Sequence, residues 1–190
     1  MKTTFRLKAV LFLVIGCMVS SIANAQMAMA TPAAKADTMK KEPKKPKKPL
    51  SPRVSVSDMV GSANITINYG SPSVRHRKIW GGLVPLDTVW RTGANAATTF
   101  TTDKDIMVEG KKLPAGKYGF FAIPGTTSWI IIFNSVPDQW GAFKYDASKD
   151  ILRVTVTPKE AGKHNHLVYK INSNGFSLIW AKLEIPVMIQ

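Results

Sequence analysis

Cysteine is almost absent from this 190-residue chain: Cys17 is the only one, so it has no partner for an intrachain disulfide. Whatever fold the chain adopts is therefore held by packing. Residues 50–190 are long enough for one hydrophobic core of common domain size. Acidic residues are scarce as well, 12 against 26 lysines and arginines, which leaves a formal net charge of +14. Past the first 25 residues no stretch is long and apolar enough to span a bilayer, and no apolar period of helical length appears. Nucleophile motifs of the G-x-S-x-G or S-x-x-K type are missing, as are glycine-rich loops that cradle phosphate. These absences argue against a covalent serine hydrolase and a nucleotide-dependent enzyme, and no cofactor is expected.

What is present begins with a leader. MKTTFRLK carries three positive charges, AVLFLVIGCMVSSI is apolar over the length of a signal-peptide core, and Ala23-Asn24-Ala25 supplies small residues for cleavage before Gln26. Residues 1–25 read as a signal peptide, which makes the protein exported, periplasmic or extracellular. The alternative is a lipoprotein anchored through Cys17, because Val14-Ile15-Gly16-Cys17 resembles a lipobox. The charge divides as +3 in residues 1–25, +5 in residues 26–49 and +6 in the remainder. In TMKKEPKKPKKPL, prolines favour an extended polyproline II spacer and lysines keep it solvated, so residues 26–49 read as a disordered linker. Nucleic acid is not an expected partner, since the globular part has no basic run interleaved with aromatics.

From Leu50 onward, short β-branched and aromatic runs are punctuated by glycine, proline and asparagine. RVSVSDMV and ANITINY alternate as half-buried strands, WIIIFN is apolar on both faces, and Asn174-Gly175 is a strong hairpin signal. Gly119 inside KYGFFAI marks a bulge or a close approach, and Pro186 a kink or an edge. The pattern predicts an all-β fold in one domain, an antiparallel β-sandwich or jelly-roll of about nine or ten strands. Two long irregular segments interrupt it, GSPSVRHRKIWGGLVPLD and VPDQWGAFKYDASKD.

Metal chemistry has thin support. His164 and His166 on a strand would share a face near Glu160, yet an exposed strand start in a polar KHNH turn is much the better account of them. Asp103 and Asp105 lack the rest of a calcium loop. A glycosidase pair among Asp58, Asp87 and Asp138 has no spacing to recommend it. The best-formed constellation is aromatic plus arginine: Trp80, Trp90 and Trp140 lie in or beside the irregular segments, near Arg77, Arg91 and Lys144. Tryptophan faces stack on sugars or apolar ligands, and guanidinium forks bind carboxylate, sulfate or phosphate. The opposing reading makes Arg91 a clamp on loop carbonyls and Asn95 a turn residue.

The stretches YGSPSVRHRKIWGGLVPLDTVWRTGANAATTF, KKLPAGKYGFFAIPG, WIIIFN, WGAFKYD, DILRVTV and LIWAKLEIPV together resemble the bacterial family called domain of unknown function 2911. The resemblance implies an exported, β-rich bacterial domain and implies no activity. Its pattern falls on Arg77, Trp90, Arg91, Thr92, Gly93, Ala94, Asn95, Pro114, Gly116, Trp140, Gly141, Tyr145 and Arg153. His76 departs from it, standing where glycine is expected, and AGKHNHLVYKINSNG departs from a more acidic, threonine-rich strand.

The expectation is a non-catalytic ligand-binding or structural module of the cell envelope. The candidate ligand residues are Arg77, Trp80, Trp90, Arg91, Asn95, Trp140 and His76, gathered into one concave patch for an anionic or sugar-like ligand. No catalytic residue is assigned. The alternative is a hydrolase acting on envelope glycans or peptides through a pocket near Arg91, for which His76 or Asp138 would have to face that same pocket.

Overall fold

The computed structural model describes residues 49–190. The expected signal peptide (residues 1–25), the expected anchor at Cys17 and all but the last residue of the expected linker (26–49) lie outside the described residues. The punctuated runs become ten strands. In order they are β1 (Arg53–Val60), β2 (Ala63–Gly70), β3 (Thr98–Thr102), β4 (Ile106–Val108), β5 (Lys111–Leu113), β6 (Gly116–Pro124), β7 (Trp129–Asn134), β8 (Asp150–Val156), β9 (Lys159–Asn172) and β10 (Gly175–Met188). Six of them form an open antiparallel sheet in the order β1-β2-β3-β6-β7-β8, so the fold is not a closed barrel. The remaining four make two hairpins, β4-β5 and β9-β10. Among the described residues no helix is long and apolar enough to cross a membrane.

The period-two alternation decides which face each strand buries. Ile65, Ile67 and Tyr69 of β2 point inward, as do Phe100 of β3, Phe120 of β6 and Phe133 of β7. The long β9-β10 hairpin covers that face. Phe176 lies 5.4 Å from Phe100 and 5.5 Å from Phe120, and Tyr169 lies 4.7 Å from Tyr69. Burying one such side chain contributes about 1.5–3 kcal/mol, and with no disulfide this layer must supply the stability.

The apolar run WIIIFN is buried on both faces, as its composition predicts. Trp129, Ile131 and Phe133 enter the main core, while Ile132 joins Phe121 and Ala97 in a second cluster on the opposite face. β7 nonetheless lies next to the edge strand β8, with β6 on its other side. Gly119 marks a close approach: a Cβ there would stand 2.6 Å from the Val136 carbonyl oxygen. Pro186 lies within β10, beyond the last β9 partner pair, Glu184↔Lys159, where no β9 ladder N–H is required of it.

His164 and His166 are not in a turn; they belong to β9. Its pairing slips against β10, from Ile179↔Val168 to Ala181↔His164 and then Leu183↔Glu160, so β9 accommodates extra residues. Such bulges bend the strand and strengthen its local twist. The first irregular segment docks there: Val74 N–H donates to Asn165 O at 2.7 Å, and Leu167 N–H to Pro72 O at 3.0 Å.

Candidate anion-binding site

The stretch Trp90 to Asn95 runs between β6 and the end of β2, and most of it is accounted for by packing. Trp90 exchanges backbone hydrogen bonds with Ala122 at 2.7 and 2.9 Å. Its indole stacks on Trp180 at 6.1 Å and lies 5.6 Å from Trp80 and 6.3 Å from Trp129, so four tryptophans share one cluster. Thr92 is fully buried with φ 51, an uncommon backbone for a β-branched residue. Its surroundings hold it there: Thr92 Oγ1 donates to Phe120 O at 2.9 Å, and Thr92 O accepts from Thr98 Oγ1 at 3.1 Å and from the Tyr169 hydroxyl at 2.9 Å.

Gly93 and Gly70 let two backbones touch. A Cβ on Gly93 would meet Gly70 O at 3.0 Å, one on Gly70 would meet Ala94 O at 2.1 Å, and Ala94 N–H donates to Gly70 O at 3.1 Å. Asn95 takes φ 64, and its side-chain Nδ2 donates to Ser51 O at 3.4 Å, as a turn residue would.

Arg91 is the residue left over. Its side chain is half-buried, its Nε is fully covered, and that Nε has no hydrogen-bond partner among the described residues. Burial alone pushes the guanidinium pKa below its ordinary value. It lines a cavity of about 310 Å³ with Arg75, Arg77, Trp90, Asn95 and Trp180. Trp180 Nε1 is likewise a buried donor without an acceptor. The clamp is Arg77 instead: its Nε donates to Val74 O at 3.1 Å and its Nη2 to Ser73 O at 2.7 Å. Arg75 Nη2 donates to Leu50 O at 2.7 Å. Two guanidinium groups are thus oriented by loop carbonyls, while the third borders the cavity with its Nε unpaired among the described residues.

The expected patch is divided. Arg77, Trp90, Arg91 and Asn95 line one cavity. Trp80 lines the adjoining one, and His76 a third with Arg75, Lys163 and His166. Trp140 is elsewhere: its backbone bridges Ala96, but the residue is 68 % exposed and, with Phe143 at 87 %, lines a hollow that shares no residue with the Arg91 cavity. The two irregular segments both reach the 89–97 stretch, yet their side chains do not converge. His76 has φ 57, which explains physically why a glycine suits that position. Arg75 and Trp180 were not among the candidate ligand residues; Arg75 sits in the same V-R-H-R loop run as Arg77, whereas Trp180 reads as an ordinary core position of a strand.

No Asp, Glu or His lines the Arg91 cavity. Asp138 pairs instead with Lys117 at 2.9 Å on the surface. Asp103 accepts from Asn64 N–H at 2.7 Å, and Asp105 is held below the usual carboxylate range by Lys112 at 2.8 Å and Ala115 N–H. Among the described residues no three metal-ligating side chains gather. Tyr145, Arg153 and Asp150 form a separate polar knot: Asp150 accepts from the Tyr145 hydroxyl, from Arg153 Nε at 2.7 Å and from Asn134 Nδ2 at 2.8 Å. Burial and the Asp150 bond push Tyr145 up to about 12, which suits it to pin the second irregular segment.

Fold and cavity define an antiparallel β-rich domain with a basic hollow that contains no carboxylate. Residues 51–189 match the family described as "Protein of unknown function (DUF2911)", and the chain belongs to that family. Neither the curated proteins nor the solved structures contain a match to it.

Proposed function

We propose that the domain is an exported, non-catalytic binding module of the cell envelope that takes an anionic or sugar-like ligand in the Arg91 cavity. The observation that carries this reading is Arg91 itself, a half-buried guanidinium whose covered Nε gains no acceptor among the described residues. Buried donors of this kind call for an explanation, and a carboxylate, sulfate or phosphate group on the ligand supplies one in bidentate geometry. Arg75 and Arg77 add positive charge already held in place, and the volume falls in the range of about 300–1,000 Å³ usual for small-molecule sites. Hydrolysis is the weaker reading, because none of the cavity-lining side chains is a carboxylate or imidazole able to act as a general base.

The test is thermal unfolding of the domain with sulfate, glucuronate and neutral glucose. A ligand at about 100 times its Kd stabilises by about 2.7 kcal/mol. The anions are expected to raise the Tm saturably in the wild type and not in Arg91→Ala. An equal rise in both proteins overturns the reading. Export is tested separately by mass spectrometry of the mature N-terminus, which distinguishes cleavage before Gln26 from lipidation at Cys17.

A further inference from the structure

A second cavity, of about 410 Å³, opens beside the first and differs from it in kind. Its floor is apolar, made by Val74, Ile79 and the Trp80 ring. That ring is backed by Trp129 at 4.9 Å and Trp180 at 5.7 Å, so the floor is rigid. Its other lining residues include four cations, Arg77, Lys78, Lys163 and Lys182, all exposed and with no acidic residue among them. The three ion pairs formed among the described residues use none of the four. The strand beside the cavity is irregular: Ala181 takes φ 55 between two register shifts of β9 against β10. Bulges and strained residues of this kind gather at functional sites. Trp80 Nε1, finally, is a buried donor with no acceptor.

An apolar floor alone would suit any hydrophobic molecule, and cations alone any anion. Their combination selects a molecule that has both parts. We propose that this cavity binds an anionic amphiphile, its apolar chain lying on Ile79 and Trp80 and its acidic head among Lys163, Lys182 and Lys78. This is a separate site from the Arg91 cavity. Only Arg77 lines both.

The experiment measures binding of hexanoate, octanoate and decanoate to the folded protein, with decanol and decyltrimethylammonium as controls, and follows backbone amide shifts by NMR. Burial of a growing chain predicts that each added methylene raises affinity about three- to fourfold. Decanoate is expected to bind more tightly than decanol, and decanol more tightly than the cation, with the amides of Val74, Ile79 and Ala181 shifting most. In the double variant Lys163→Glu/Lys182→Glu, decanoate is expected to weaken by about tenfold or more while decanol is unaffected. Both positions are exposed, so folding survives the change. Arg91→Ala is expected to bind decanoate as the wild type does. Three results overturn the proposal: no dependence on chain length, shifts centred on Trp140 and Phe143, or loss of decanoate binding in Arg91→Ala. The last would move the ligand into the first cavity and leave the proposed function there intact.

Discussion

Removing the charge of Arg91 separates two roles that look alike in a sequence. A guanidinium that clamps loop carbonyls stabilises the fold, whereas one with a covered, unpaired Nε contributes less or opposes it. Arg91→Met keeps most of the packing of the aliphatic stem and deletes the charge. The expected result is a urea-unfolding stability equal to the wild type or higher, within about 1 kcal/mol, together with loss of anion-induced stabilisation. A clear drop in stability with anion binding retained would make Arg91 a structural residue. At this scale the sequence was informative about kind and less so about role. Arginine, tryptophan and asparagine mark positions 77, 80, 90, 91 and 95 as worth weighing. Which arginine is the clamp depends on the carbonyls of Ser73 and Val74 lying beside Arg77, and carbonyl direction has no residue signature. Trp80 and Trp90 had the look of ligand platforms, yet Trp90 is a buried core residue at the wall of one cavity and Trp80 is partly buried beside another.

Elements were more legible than their seating. Alternation gave β1 and β2, the apolar run gave β7, and the glycine inside KYGFFAI signalled that something comes close to β6. What comes close is the second irregular segment, through the Val136 carbonyl. Gly119→Ala would place a methyl 2.6 Å from that oxygen and 2.9 Å from the Phe121 ring, distances a Cβ essentially never adopts. The segment must then lift, which is expected to cost about 2 kcal/mol or more by the usual penalty for overpacking. Hydrogen exchange reports where: the amide of Gly141, bonded to Asn95 O at 3.1 Å, should lose protection before those of β6 and β7 do. Unchanged exchange at Gly141 would mean that the segment is not seated on β6. The bulges of β9 were not legible. KHNH is polar because its side chains face water, His164 only in part, which is also how a turn reads, and its extra strand residues Asn165 and His166 are exposed and leave no mark on the hydrophobic pattern.

At the level of the whole molecule, the hollow beside Arg91 exists because positions distant in the chain, Leu50, Arg75, Arg91 and Trp180, arrive together. Local pattern has no means of announcing such a closure, and the four-tryptophan cluster was invisible for the same reason: Trp129 and Trp180 read simply as strand interior. The sandwich itself could be read because alternation and turns are local, and the site could not because it is assembled across the chain. One global property does follow from this assembly. All four tyrosines, Tyr69, Tyr118, Tyr145 and Tyr169, have their hydroxyl pKa raised, in each case chiefly by burial, and Tyr145 reaches about 12. An unfolded tyrosine ionises near pH 10. Above that pH the unfolded chain therefore releases phenolic protons that the folded one retains, so the stability these groups confer is complete below about pH 10 and declines as the pH rises toward about 12. Lys112, raised by its bond to Asp105, acts with the same sign. The urea midpoint is expected to fall steeply between about pH 10 and about pH 11.5 after staying level from about pH 8 to about pH 9.5. Tyr145→Phe should make the fall shallower, because it removes one of the four ionisations while keeping the ring against Phe121 at 5.1 Å. A midpoint that stays constant through this range, or a slope that Tyr145→Phe leaves untouched, would show that the hydroxyls are not sheltered as the fold places them.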